Sequence, residues 1–99
     1  QLSDLIANWL VRQGIEQVFA VTGGGAMFLN QALGSHPGLR CTFMHHEQAC
    51  AMAAEGYARI KGKPAVVMLT TGPGALNAIN GVFGAYTDSI PMLVLSGQV

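Results

Sequence analysis

Apolar and polar positions along the chain fall into two alternating periods. Leu5, Ile6, Trp9 and Leu10 recur at helical spacing behind Ser3, a predicted N-cap, and Gly14 closes the run. Gln17 to Val21 then reads as a short strand with Val-Phe-Ala-Val at its core, and Gly23-Gly24-Gly25 as a turn. A helix is predicted from Ala26 to Leu33, stopped by Gly34 and Pro37, and a second strand from Leu39 to His45. Glu47 to Ile60 reads as an Ala-rich helix ended by Gly62 and Pro64. Its Glu47, Ala51, Ala54 and Ala58 share one face. Ala65 to Thr70 is a wholly apolar strand apart from its last residue, and Thr71-Gly72-Pro73-Gly74 a loop. The pattern finishes with a helix from Ala75 to Tyr86 and a strand from Pro91 to Ser96.

Strands alternating with helices predict βαβ units: an α/β fold whose parallel sheet carries helices on both faces. The run Ala65-Val66-Val67-Met68-Leu69 suits a strand buried on both sides. Right-handed crossovers place every strand's C-terminal end on one edge, which is where open α/β sheets bind ligands. Four segments therefore gather there: Thr22 to Gly25, His45-His46-Glu47, Thr71 to Gly74, and Ser96-Gly97-Gln98. Each is glycine-rich or polar, whereas the strands behind them are apolar.

Composition adds one constraint. Of 99 residues, 51% are hydrophobic and only 10% charged, against about 25% charged in an average soluble domain. So little charge predicts faces covered by other domains or subunits. The formal net charge is zero and Arg12, Arg40, Arg59, Lys61 and Lys63 form no long run, which argues against nucleic acid or an anionic membrane as partner. No apolar stretch approaches the roughly 20 residues that span a bilayer. The start, Gln1-Leu2-Ser3-Asp4, lacks the features of a signal peptide. Cys41 and Cys50 then read as reduced residues of a cytoplasmic protein.

Taken singly, the candidate motifs are ambiguous. Gly23-Gly24-Gly25 follows a strand and precedes a helix, as phosphate-binding turns do. Position 28 is Phe, however, so G-x-G-x-x-G is incomplete, and no Walker lysine follows. His45-His46-Glu47 invites a metal, yet H-E-x-x-H would need His where Cys50 stands; no metal site is assigned. Glu47 at a helix start is accounted for by the helix dipole alone.

In combination the motifs are specific. Gly14 to Phe19 leads into Gly23-Gly24-Gly25-Ala26. His46-Glu47-Gln48-Ala49 precedes Ala53-Ala54-Glu55-Gly56-Tyr57-Ala58-Arg59. Thr71-Gly72-Pro73-Gly74-Ala75 with Asn77-Ala78 precedes Ala85 to Pro91 and Leu95 to Val99. In order and spacing, over the whole length, these resemble the N-terminal pyrimidine-binding (PYR) domain of thiamine-diphosphate-dependent enzymes, acetolactate synthase-like branch. The resemblance implies thiamine diphosphate as cofactor. It implies that Glu47 hydrogen-bonds N1′ of the aminopyrimidine and promotes the C2 ylide that attacks a 2-oxo acid substrate. Ala49, Cys50, Ala51 and Met52 would give that carboxylate an apolar setting. By the same resemblance Pro73, Gly74 and Asn77 line the pyrimidine pocket. Val21, Thr22, Gly23 and Gly24 approach the thiazolium, and His46 sits near the reacting centre as a proton relay.

The departures are Thr22 where the branch has Pro, Gly25 where Ala is common, and Gly84 where Asp is common. They bear on the acceptor substrate, not on Glu47. The chain contains no Gly-Asp-Gly motif followed by an Asn pair, so residues 1–99 are expected to form a PYR domain incomplete at its C-terminus. The middle and diphosphate-binding domains, and the Mg2+ the latter binds, would lie elsewhere; FAD is an open option. The active site would then be shared with the diphosphate-binding domain of a second subunit in a homodimer or homotetramer. The enzyme would be a lyase or transferase, a decarboxylase/carboligase, and this chain alone inactive. Two other classes stay open on sequence: a non-catalytic α/β regulatory or interface module, and a nucleotide-binding domain using Gly23 to Gly25.

Overall fold

A computed structural model describes residues 2–21, 27–70 and 73–97. Helix α1 (Leu2–Arg12) precedes strand β1 (Gln17–Ala20), and helix α2 (Met27–Ser35) leads to β2 (Arg40–Phe43). Helix α3 (Glu47–Lys61) leads to β3 (Val66–Leu69); α4 (Pro73–Asn77) and α5 (Ile79–Thr87) then lead to β4 (Leu93–Ser96). The strands form one sheet in the order β2-β1-β3-β4, and every pairing is parallel. The predicted α/β architecture is therefore the observed one.

Strand alternation sorts the core into two layers. Val18 and Ala20 of β1 and Val66 and Met68 of β3 face one way, onto Ala7 and Leu10 of α1 and Leu33 of α2. Phe19, Val67 and Leu69 face the other way, onto Cys50, Ala51 and Ala54 of α3 and Ala78 between α4 and α5. Helices thus cover both faces. Strand β3 is buried along its whole length, as its apolar run predicts. On β1, the buried Gln17 donates to Thr42 Oγ1 at 3.0 Å and to the Val18 carbonyl at 3.1 Å, which satisfies its amide nitrogen.

The helix ends obey local chemistry. Gly14 adopts a φ of 84°, and Ile15 N–H returns to the Leu10 carbonyl while Gly14 N–H returns to that of Val11. That is a Schellman ending, and Ile15 and Leu10 pack in the same core layer. Gly62, at φ 72°, closes α3 by the simpler left-handed ending, a single bond from its N–H to the Ala58 carbonyl.

Three expectations are corrected. Helix α1 already includes Leu2, so Ser3 is helical rather than an N-cap. Pro73 and Gly74 begin a helix instead of sitting in a loop, because a proline at a first helical position loses no hydrogen bond. The single helix expected from Ala75 to Tyr86 is broken at Ala78, whose N–H turns back to the Ala75 carbonyl at 3.1 Å. This tightened turn lets Ala78 drop into the core. Strand boundaries differ from the pattern by one or two residues, as ends commonly do.

Candidate functional site

The C-terminal ends of all four strands lie on one edge, because the sheet is wholly parallel. Chain order leaves β1 outward to β2, then crosses back to β3 on the far side of β1. The sheet's switch point is thus between β1 and β3, where α/β sheets open a crevice for ligands. Backbone hydrogen bonds extend the sheet past the strands at this edge. Met44 donates to Ala20 at 2.8 Å, Gly97 to Leu69 at 3.0 Å and Val21 to Met68 at 3.3 Å. Ser96 Oγ donates to the Thr70 carbonyl at 3.1 Å and ties β4 to the end of β3.

Helix α3 begins on this edge. His46 is its N-cap, with extended backbone (φ −148°, ψ 136°), and its Nδ1 accepts from the Gln48 N–H at 3.0 Å. The ring therefore has one nitrogen committed to the helix, and among the described residues Nε2 has no hydrogen-bond partner. Glu47 is the first helical residue, half-buried, where the unpaired N–H groups favour a negative charge. Across from it, Asn77 at the end of α4 points Nδ2 at Glu47 Oε1, 3.5 Å away. That is the outer limit of a hydrogen bond, so the carboxylate keeps lone pairs for another donor. The expected apolar surroundings are only partly present: Cys50 and Ala51 are buried, whereas Met52 is 53% exposed. Burial, and then the charge of Glu47, push the Cys50 thiol up to about 11. Cys50 is consequently a protonated packing residue and not a nucleophile. Both cysteines are free.

Other predicted residues are placed as follows. Val21 continues β1 at the crevice and is half-buried. The backbones of Pro73 and Gly74 open α4, directly beyond the end of β3. Thr22, Gly23 and Gly24, with Thr71 and Gly72 of the loop, lie outside the described residues. Among the described residues no three His, Cys, Asp or Glu side chains converge as a metal ion would require, and no helix is long and apolar enough to cross a membrane.

One group of residues escaped the sequence reading. Ala51 of α3 meets Gly81 of α5, and Arg59 of α3 bridges Glu55 (2.8 Å) and Asp88, the C-cap of α5. A glycine within an otherwise regular helical run was the available signal for Gly81.

A parallel α/β sheet with a carboxylate–amide pair at its switch-point edge defines a ligand-binding α/β domain. Comparison with known proteins narrows the class. Residues 1–99 match the family described as thiamine pyrophosphate enzyme, N-terminal TPP binding domain, and the chain belongs to it. It is 44% identical over 97 residues to acetolactate synthase, chloroplastic, of Arabidopsis thaliana. It is 45% identical to the acetolactate synthase large subunit of Buchnera aphidicola from Schizaphis graminum, and 44% to the isozyme 3 large subunit of Escherichia coli K12. Each similarity covers 98% of this chain, but the chain spans only 14 to 17% of the length of these relatives. It is thus an acetolactate synthase-like pyrimidine-binding domain, of a family that binds thiamine diphosphate.

Proposed function

We propose that this chain is the pyrimidine-binding half of a thiamine-diphosphate-dependent 2-oxo acid decarboxylase/carboligase, of the acetolactate synthase kind. The observation that carries the reading is the half-buried Glu47 at the start of α3, facing Asn77 on the strand C-terminal edge. Thiamine diphosphate, when bound, supplies the carbanion chemistry that breaks and forms bonds beside a carbonyl; the protein orients it and manages protons.

The residues present fit the pyrimidine end of that cofactor. Glu47 has an oxygen free to share a proton with the ring's N1′, and the helix N-terminus stabilises its charged form. Asn77 approaches the carboxylate's other oxygen, 3.5 Å away. Pro73 and Gly74, opening α4, are assigned to the pyrimidine, and the family resemblance assigns Val21 to Gly24 to the thiazolium side. His46, capping with Nδ1, holds Nε2 available for a proton relay. Among the described residues no three His, Cys, Asp or Glu side chains converge to hold Mg2+, the ion that would accompany the diphosphate. Both are assigned to a diphosphate-binding domain of a second subunit, and FAD to a further domain if the enzyme carries it. The chain alone is then inactive, and the parent a cytoplasmic lyase or transferase.

A shared site needs an interface, and α5 offers one. Ile79, Phe83 and Tyr86, at helical spacing, are 53%, 66% and 81% exposed. A homodimer or homotetramer follows for the full-length enzyme, and light scattering that finds only monomer would reject it.

The test of Glu47 is cofactor C2 proton exchange in the full-length enzyme carrying Glu47→Gln. Exchange slowed by on the order of a hundredfold is expected for a lost acid–base group. Unchanged exchange would sink the assignment and favour a non-catalytic module.

A further inference from the structure

Glu47 and Asn77 meet at one end of two helical segments that run side by side in the same direction, since both return the chain between parallel strands. Their meeting is the first rung of a ladder. Ala51 faces Gly81, Glu55 faces Gly84, and Arg59 binds Asp88. The steps are four residues along α3, and four, three and four along α4 and α5, the repeat of one helical face.

The rungs differ in rigidity. Arg59 is long, exposed and adaptable, so it tolerates changes in helix separation. At Gly84 an added Cβ would lie 3.2 Å from Glu55 Oε1, the movable tip of a side chain. Gly81 is different. A Cβ there would run into Ala51 Cβ and stand 3.0 Å from the Ala51 carbonyl carbon and 3.1 Å from the Met52 nitrogen. Those atoms are helix backbone and cannot rotate away. Relieving them to ordinary carbon–carbon separations of about 3.5–4.0 Å requires the helices to part by on the order of 1 Å. Four residues back, across the tight turn at Ala78 that ties α4 to α5, Asn77 reaches Glu47 at 3.5 Å, with no slack for α4 to shift along with α5.

We propose that Gly81, seated on Ala51, is a positioning residue that sets the reach of Asn77 to the Glu47 carboxylate. It touches neither cofactor nor substrate; it acts through the rung above it. The inference rests on the reading of Glu47 given under Proposed function.

The experiment compares Gly81→Ala, Asn77→Ala and the double variant in the full-length enzyme. C2 proton exchange is measured at saturating thiamine diphosphate and Mg2+, with crystal structures of each. Gly81→Ala should carry Asn77 beyond hydrogen-bond distance of Glu47 and slow exchange by on the order of ten- to a hundredfold, the range that a 1 Å misplacement can reach. The double variant should be no slower than Asn77→Ala alone, because both remove one interaction. Ala51→Gly combined with Gly81→Ala should restore part of the rate, and it serves if the single variant does not fold. Additive losses, an unmoved Asn77, or no rescue would overturn the proposal. If Glu47→Gln leaves exchange unchanged, the functional reading fails instead, while the Asn77–Glu47 separation in Gly81→Ala still decides the rung.

Discussion

Two glycines in the helices on this side of the sheet, Gly56 of α3 and Gly81 of α5, respond oppositely to the same substitution. Gly56 lies in the middle of α3 with nothing within 4 Å of where a Cβ would project. Replacing it with Ala adds helix propensity and removes unfolded-state freedom, a gain of roughly 0.5–1 kcal/mol. Gly81 gains the same propensity, but its Cβ overlaps Ala51 and crowds backbone on α3. Overpacking of this kind costs about 1–3 kcal/mol, and contact with backbone puts it in the upper half of that range. The net effect is a loss of about 1–2 kcal/mol, so the two variants should differ by roughly 2–3 kcal/mol. For a chain of 99 residues, each kcal/mol moves Tm by about 4–8 °C. Urea or thermal unfolding followed by circular dichroism would then show Gly56→Ala melting above the parent and Gly81→Ala below it. If both variants melt above the parent by the same amount, α3 and α5 do not meet at Gly81, and the ladder loses its fixed rung.

Two further outcomes follow from local geometry and titration. Ser89 follows α5 at φ 56°, with Ile90 N–H returning to Ala85 and Ser89 N–H to Tyr86. This is a Schellman ending without its usual glycine, so Ser89→Gly should raise stability by up to about 1 kcal/mol in urea titrations. Cys50, with its thiol pushed from 9.0 up to about 11, should resist alkylation near neutral pH, in contrast to the urea-unfolded chain. Its native-state pKa is raised, so its contribution to stability is complete below pH 9.0 and is lost as pH climbs toward about 11. A native alkylation rate that rises with a midpoint near the unfolded value would refute the shift.

Legibility followed the range of the forces involved. Gly14 and Gly62 end helices where the sequence places them, since a positive φ is a property of one residue and its neighbours. The alanine face of α3, with Ala51, Ala54 and Ala58 buried, was equally readable from spacing. The break at Ala78 was not. Nothing in Asn77-Ala78-Ile79 forbids a continuous helix; burial of Ala78 in the core layer shared with α3 and β3 imposes the turn. His46 carried a chemical expectation from its neighbours, whereas its observed hydrogen bond is that of a helix cap. Capping depends on backbone direction, which a residue pair such as His45-His46 does not encode.

By itself the sequence determined the alternation of strand and helix, the parallel sheet it requires and the edge on which Glu47 stands. These rest on hydrophobic period and chain connectivity, which are written locally. Only the tertiary structure decided which residue stands opposite which. Asn77 meets Glu47, Gly81 meets Ala51 and Asp88 meets Arg59 across about thirty residues of chain. Those pairings depend on how closely two helices settle on the same sheet face, and side-chain volume at their contact sets that distance.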